Sequence, residues 1–312
     1  MLAALALASS AQAVAATPAR AHQTLTLATR HVNGAVGAVI SGASWQVGGT
    51  ITPYVSGQRI AIHAFDGVGQ RIVAQQVRIT RHGRTGVFKA TFRVTSIGKV
   101  TVRAIHYATA TQGWLVSSDV SVWVVAPQVQ PNQQSLAARI LQAQLSAQHY
   151  VVGAPGVYDD RTQRAVLAFR KMVGLDRTSV ADANVFAALA AGEGAFSVRF
   201  PSHGRHVEGD LTHQVLALIG ANGSVEALYP MSSGKPSTPT ALGSFRVYSK
   251  TFGVNNVGMV DSNYFNGGDA IHGYPEVPTY AASHGCLRVP IPDALTIYDW
   301  VAIGTPVDVY YR

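Results

Sequence analysis

In the stretch VFKATFRV, Phe88, Ala90, Phe92 and Val94 alternate with Lys89, Thr91 and Arg93. A period of two puts the apolar groups on one face of an extended chain and the polar groups on the other. KVTVRAIHY and DVSVWVV repeat the pattern, and Asp66-Gly67 and His82-Gly83 supply turn signals between such runs. Residues 34–126 therefore read as an all-β domain, and an immunoglobulin-like sandwich is the architecture they suggest. His63, His82 and His106 fall within it and read as surface or core residues rather than ligands.

The period then changes. A Pro/Gln-rich linker at 127–134 leads into apolar residues at helical spacing. Ser135 is placed to cap a helix carrying Leu136, Ile140, Leu141 and Leu145. Asp159 or Asp160 is placed to cap a second, with Ala165, Val166, Phe169 and Met172, closed by Gly174. Asp182 is placed to cap a third, with Val185, Phe186 and Leu189, closed by Gly192. The cap side chains satisfy free N–H groups, and glycine permits a left-handed exit. Residues 135–192 thus read as a small three-helix bundle. Residues 196–312 turn strand-rich again. QVLALIGANGSVEALYPMS predicts a hairpin turning at Asn222-Gly223, GSFRVYSK and GTPVDVYY predict further strands, and IPDALTIYDWVAIG predicts a short helix.

Charge sharpens this division. Of the 312 residues, 1–126 hold 11 Lys/Arg against 2 Asp/Glu, whereas 193–312 hold 7 against 10. A basic N-terminal part favours an anionic partner. There is no nucleic-acid-binding motif and no dense Lys/Arg run, so an anionic wall polymer fits better than nucleic acid. Residues 1–33 read as a secretory signal peptide and disordered lead: the apolar run Leu2 to Ala8 precedes an Ala-x-Ala at Ala11 to Ala13. That run is too short to span a bilayer, and no other segment reads as a span.

The chemistry concentrates in SHGCLRV. It contains Cys286, the one cysteine of the chain, so an internal disulfide is excluded. A nucleophilic cysteine needs a base and N–H donors for the oxyanion formed on attack. His284 and His272 lie two and fourteen residues before Cys286. Gly285 permits a tight turn, and Arg288 can hold a carboxylate in a bidentate pair. All eleven histidines precede the cysteine, which excludes papain-like arrangements with the histidine downstream. A zinc site from His272, His284 and Cys286 with Asp269 lacks the usual ligand patterns. An inert buried thiol is the bland alternative. Between the histidines, His272 is preferred as base. Gly285 breaks the alternation that would align His284 with the thiol. The excursion HGYPEVPTYAASHG, stiffened by Pro275 and Pro278, can return His272 on a neighbouring strand. An imidazolium there is expected to lower the thiol pKa.

AIHGYPEVPTYAASHGCLRV closely resembles the signature of the L,D-transpeptidases, the YkuD-type catalytic domain. The resemblance spans about 200–312 and takes in Gln214, MSSGKPSTPTALGSF, Ile271-His272-Gly273, Ser283 to Arg288 and Gly304-Thr305-Pro306-Val307. Two departures are visible: Ala241-Leu242 intervene before Gly243, and only ten residues separate His272 from Ser283. LQAQL with GVYDDRTQRAVLAFRKMVGL resembles the small peptidoglycan-binding domain, with Arg170 where that family usually has Gln. The resemblance implies a multidomain, mainly β chain: an Ig-like sandwich, a helical peptidoglycan-binding bundle and a mixed β catalytic domain at 196–312. It implies Cys286 as nucleophile, His272 as base, and the Gly273 carbonyl orienting His272. Backbone N–H groups around Gly285 and Cys286 form the oxyanion hole. Ser283, His284 and Arg288 shape the site and the donor subsite, and Tyr264 and Met259 line the acyl-donor pocket. The implied reaction is 3→3 cross-linking of peptidoglycan stem peptides with release of D-Ala, outside the membrane, without metal or cofactor, by a monomer. An L,D-carboxypeptidase using water, attachment of another protein to the wall, and a non-catalytic wall-binding protein stay open.

Overall fold

The computed structural model describes residues 23–30 and 37–312. The expected signal peptide lies outside the described residues. Up to residue 125 the described chain is all strand and loop: β1 (Thr24–Leu25), β2 (Ala28–Arg30), β3 (Ala38–Ile40), β4 (Ser44–Thr52), β5 (Arg59–Phe65), β6 (Arg71–Arg78), β7 (Thr80–His82), β8 (Thr85–Arg93), β9 (Gly98–His106), β10 (Leu115–Val116) and β11 (Val120–Val125). In β8 the expected alternation is realised: Phe88, Ala90 and Phe92 are buried, while Lys89, Thr91 and Arg93 are exposed.

The chain divides into two compact units. The first gathers residues 46–91 and 101–121 with described residues 23–30. In it β1 pairs with β4, β7 with β8, β5 with β6 and β9, and β10 with β9, all antiparallel. Residues 24–30, which the sequence pattern left in the lead, are thus partly strand. Strands of two and three residues are too short to display a period.

The second unit holds residues 122–312 with described residues 37–45 and segment 92–100. Here β11 runs parallel to β3, pairing Trp123 with Ala38 and Val125 with Ile40. Three helices follow: α1 (Leu136–Ala147), α2 (Asp160–Met172) and α3 (Ala183–Ala190). Their caps are those expected from sequence. Ser135 accepts from the Ala138 N–H, Asp159 from Thr162 and Asp182 from Val185. Gly174 and Gly192 take the left-handed exits at φ 69° and 77°. Arg170 is buried and donates to the Asp176 and Val180 carbonyls and to the Asp182 carboxylate, tying α2 to the cap of α3.

Nine more strands and a helix complete the chain: β12 (His206–Asp210), β13 (Val215–Ile219), β14 (Val225–Pro230), β15 (Gly243–Arg246), β16 (Ser249–Val254), β17 (Val260–Asn266), β18 (Asp269–Tyr274), β19 (Leu287–Pro290), α4 (Ile291–Trp300) and β20 (Pro306–Tyr310). They form two sheets, ordered β14-β13-β12-β20-β15 and β16-β17-β18-β19, with α4 packed on β17, β18 and β19. Among the described residues no helix is long and apolar enough to cross a membrane.

Every residue of β13 is buried, because both faces are covered. Leu216 and Leu218 enter a core with Ile271, Leu287 and Val289. Val215, Ala217 and Ile219 join Leu145, Tyr150 and Phe169 in a core shared with the helices. The helical bundle and the two sheets of residues 206–310 therefore have apolar packing in common across the expected boundary at 192–196. Polar contacts reinforce it. The Lys171 ammonium of α2, 2% exposed, donates to the Gln214 and Met231 carbonyls at 3.0 Å each. Arg161 and Arg164 of α2 reach buried Asp293 in the first turn of α4.

Candidate active site

The parallel register of β18 and β19 pairs Ile271 with Leu287 and His272 with Arg288. Cys286 stands immediately before β19, so the two strands bring His272, Cys286 and Arg288 to one cleft of about 200 Å³. Met259, Ser283 and His284 also line it, together with Tyr274 and Val257, which the sequence reading passed over. Tyr264 is not among the lining residues; its hydroxyl accepts from Asn255 and its ring lies by Tyr248.

Two glycines make this arrangement possible. A Cβ on Gly273 would stand 2.7 Å from that of Ala294, so its absence lets α4 close on β18. Gly285 has φ 125°, and a Cβ there would lie 2.1 Å from the Asp269 carboxylate. The turn before the cysteine is closed by Ser283, which is fully buried. Its hydroxyl donates to the Cys286 carbonyl at 2.6 Å and accepts from the Gly285 N–H at 3.2 Å. The Gly285 N–H is thereby engaged within the turn and is not free to face a substrate oxygen.

Residues 232–234 hold this turn from outside. Ser232 and Arg288 exchange N–H···O bonds at 2.9 Å, and the Ser283 N–H donates to the Ser233 carbonyl at 2.9 Å. Ser233 is fixed in turn by Gln214, whose amide accepts from the Ser233 N–H and donates to its hydroxyl, both at 2.8 Å. Gln214 adopts φ 56°, and its own carbonyl receives the Lys171 ammonium. A continuous chain of hydrogen bonds thus runs from α2 to the turn before Cys286.

His272 is 3% exposed, and its Nδ1–H donates to the Gly273 carbonyl at 2.9 Å. That bond places the proton on Nδ1 and leaves Nε2 as an acceptor. The Tyr274 ring stands edge-on to His272 at 5.7 Å and carries the Arg288 guanidinium over its face at 4.1 Å. Lys235 donates to His284 Nε2 at 3.0 Å at the exposed rim.

Burial sets the protonation states. It lowers the His272 pKa to about 4, and Arg288 acts in the same direction. Burial raises the Cys286 thiol above its ordinary value, aided by Asp269 and opposed by an Ala270 N–H bond and Arg288. Both shifts favour a neutral thiol beside a neutral imidazole, rather than the imidazolium and thiolate expected from sequence. Asp269, itself raised by burial, enters as a residue that tunes the thiol.

The L,D-transpeptidase catalytic domain matches residues 204–309, and a peptidoglycan binding domain matches residues 134–189. The L,D-transpeptidase (residues 123–326) of Xylanimonas cellulosilytica is 34% identical over 60% of this chain and 98% of its own, with a TM-score of 0.55. An Enterococcus faecium L,D-transpeptidase C442S mutant is 27% identical over 34% of this chain and 50% of its own, with a TM-score of 0.31. An L,D-transpeptidase from Mycobacterium tuberculosis is 12% identical over 91% and 98%, with a TM-score of 0.32. No curated protein matches the chain.

Proposed function

This chain belongs to the L,D-transpeptidase family, and from that premise we propose that it is an exported acyltransferase that cross-links peptidoglycan stem peptides 3→3. The observation that carries this reading is the His272–Gly273 hydrogen bond, which leaves Nε2 as the acceptor in the cleft that holds Cys286. Nε2 takes the thiol proton as Sγ attacks the carbonyl of the third stem residue. The imidazolium formed then protonates the departing amine, D-Ala leaves, and a thioester to Cys286 remains. A side-chain amine of a second stem attacks the thioester, His272 takes a proton from it, and the Cys286 thiol is restored.

With the Gly285 N–H engaged by Ser283, the Cys286 N–H is assigned to the oxyanion. Arg288, stacked on Tyr274, faces a substrate carboxylate. The neutral resting pair suits this role, since an imidazole that is unprotonated down to about pH 4 stays available as base. The helical module, matched to a peptidoglycan binding domain, presents the glycan-peptide polymer to the cleft.

Incubation with a disaccharide-tetrapeptide, followed by mass spectrometry, tests the reading. A dimer lighter by one D-Ala is expected, with none from Cys286→Ala. A shortened monomer alone identifies water as the acceptor, and unchanged substrate overturns the assignment.

A further inference from the structure

The first unit contains a second cleft, of about 430 Å³, between the loops 55–59 and 106–112 and bounded by Gln76. Its volume falls within the range of about 300 to 1,000 Å³ usual for small-molecule sites. None of its residues belongs to the catalytic cleft.

Its floor is a fixed polar network. Gln58 and Gln112 are 9% and 4% exposed, and Gln58 donates to Gln112. Both donate to the Pro53 carbonyl, and Gln58 Oε1 accepts from the Val55 N–H. Buried His106 is held by the Gly113 carbonyl at 3.1 Å. The loop above is pinned by reciprocal bonds between Thr109 and Gln112. One wall is Tyr107, 45% exposed and braced edge-to-face by Trp114 at 5.0 Å.

The rim carries unopposed charge. Arg59 lines the cleft and pairs in register with Arg78 across β5 and β6. Like charges directly opposite on neighbouring strands are destabilising. Among the described residues neither guanidinium meets a carboxylate. The two acidic residues before position 127 are engaged elsewhere: Asp66 accepts from the Val68 and Gln70 N–H groups, and Asp119 holds Arg103. Gln76, two residues from Arg78 on the same strand face, presents an amide without a partner among the described residues.

A rigid amide floor, a half-exposed aromatic wall and two arginines paired in register, of which Arg59 lines the cleft, together match one ligand class. Ring hydroxyls suit amides, an apolar sugar face suits an aromatic ring, and an acidic substituent suits paired arginines. We propose that this cleft binds a pyranose bearing a carboxylate or phosphate, with Arg59 and Arg78 holding the acidic group and the sugar ring lying on Tyr107. The proposal does not rest on the catalytic reading, and its test reads no turnover.

The full chain is titrated while the Trp114 indole N–H is followed by NMR, assigned by its loss in Trp114→Phe. The probes are N-acetylmuramic acid, glucose 6-phosphate and N-acetylglucosamine. The neutral N-acetylglucosamine is expected to bind on the order of ten-fold more weakly than an acidic probe, the difference of one charge-assisted contact. The better of the two acidic probes identifies carboxylate or phosphate as the natural group. Arg59→Gln with Arg78→Gln should remove that preference while leaving the melting temperature equal or higher, since a repulsive pair is lost. Equal binding of the neutral sugar, an unshifted Trp114 signal with both acidic probes, or an unaltered preference in the double variant overturns the proposal.

Discussion

At the scale of single residues, Arg288 influences both partners of the proposed reaction. It lowers the pKa of His272 and of Cys286. Arg288→Gln should therefore move the acid limb of kcat/KM and the midpoint of Cys286 alkylation by iodoacetamide in the same direction, upward. Asp269 raises the thiol pKa, so Asp269→Asn should lower the alkylation midpoint. In the wild type that midpoint should lie above the ordinary thiol value of about 8.5, and the acid limb of kcat/KM well below the ordinary imidazole value of about 6.5. A midpoint near neutrality refutes the neutral resting pair. A carbapenem should add once to Cys286 in intact mass spectra and not to Cys286→Ala. That His272, Cys286 and Arg288 line one cleft was readable, because Cys286 and Arg288 are close in sequence and the excursion from His272 returns on a neighbouring strand. Ser283 was expected to shape the site, and the structure shows how, by closing the turn; Tyr274 was passed over, because a stacked guanidinium is a contact that only the fold creates.

At the scale of elements, caps and turns were legible and shared faces were not. Ser135, Asp159 and Asp182 cap their helices as their positions suggested, since capping is local chemistry. The run VLALI gave no sign that β13 would be covered on both sides, since an unbroken apolar stretch fits any buried segment. The consequence is testable. A fragment of residues 196–312 would expose Val215, Ala217, Ile219 and Leu228, which pack against the helices in the intact chain. Burial of each of Val215, Ile219 and Leu228 contributes up to about 1.5–3 kcal/mol, against a typical total of about 5–15 kcal/mol. The fragment should aggregate or show collapsed amide dispersion; a well-dispersed spectrum overturns the shared core.

Lys171 gives the same contact a pH signature. Burial lowers its folded pKa to about 7 from 10.5. Between those values the unfolded chain binds more protons than the folded one, so this residue makes stability rise with pH. Melting temperatures of wild type and Lys171→Met, compared from about pH 7 to pH 10, should diverge in favour of wild type as pH rises. Parallel curves exclude a titrating Lys171.

At the scale of the whole molecule, the asymmetry of charge was fully legible, since it needs only counting. The basic excess lies before residue 127 and the acidic excess after residue 192. If the basic part is drawn to an anionic wall, salt screens that attraction, with a Debye length of about 10 Å at 0.1 M. Retention on isolated sacculi should fall as salt rises from about 0.05 to 0.5 M. The fall should be shallower for the variant lacking Arg59 and Arg78. A salt-independent retention assigns wall contact to uncharged groups instead. How the basic part divides into strands was less legible, because β1, β2 and β10 have two or three residues each.

The lysine that α2 sends to Gln214 and Met231 also bears on how such chains can be recombined. A gene fusion that exchanged the helical module for that of a relative would replace the residue at 171 and the apolar neighbours of Val215 and Ile219 in one step, while leaving Gln214, Met231 and β13 unchanged. The join between 191 and 196 is therefore not a neutral crossover point. Inheritance of the two segments is coupled. A chimera that carries residues 135–312 as one block should retain turnover, whereas one cut at 195 should lose it.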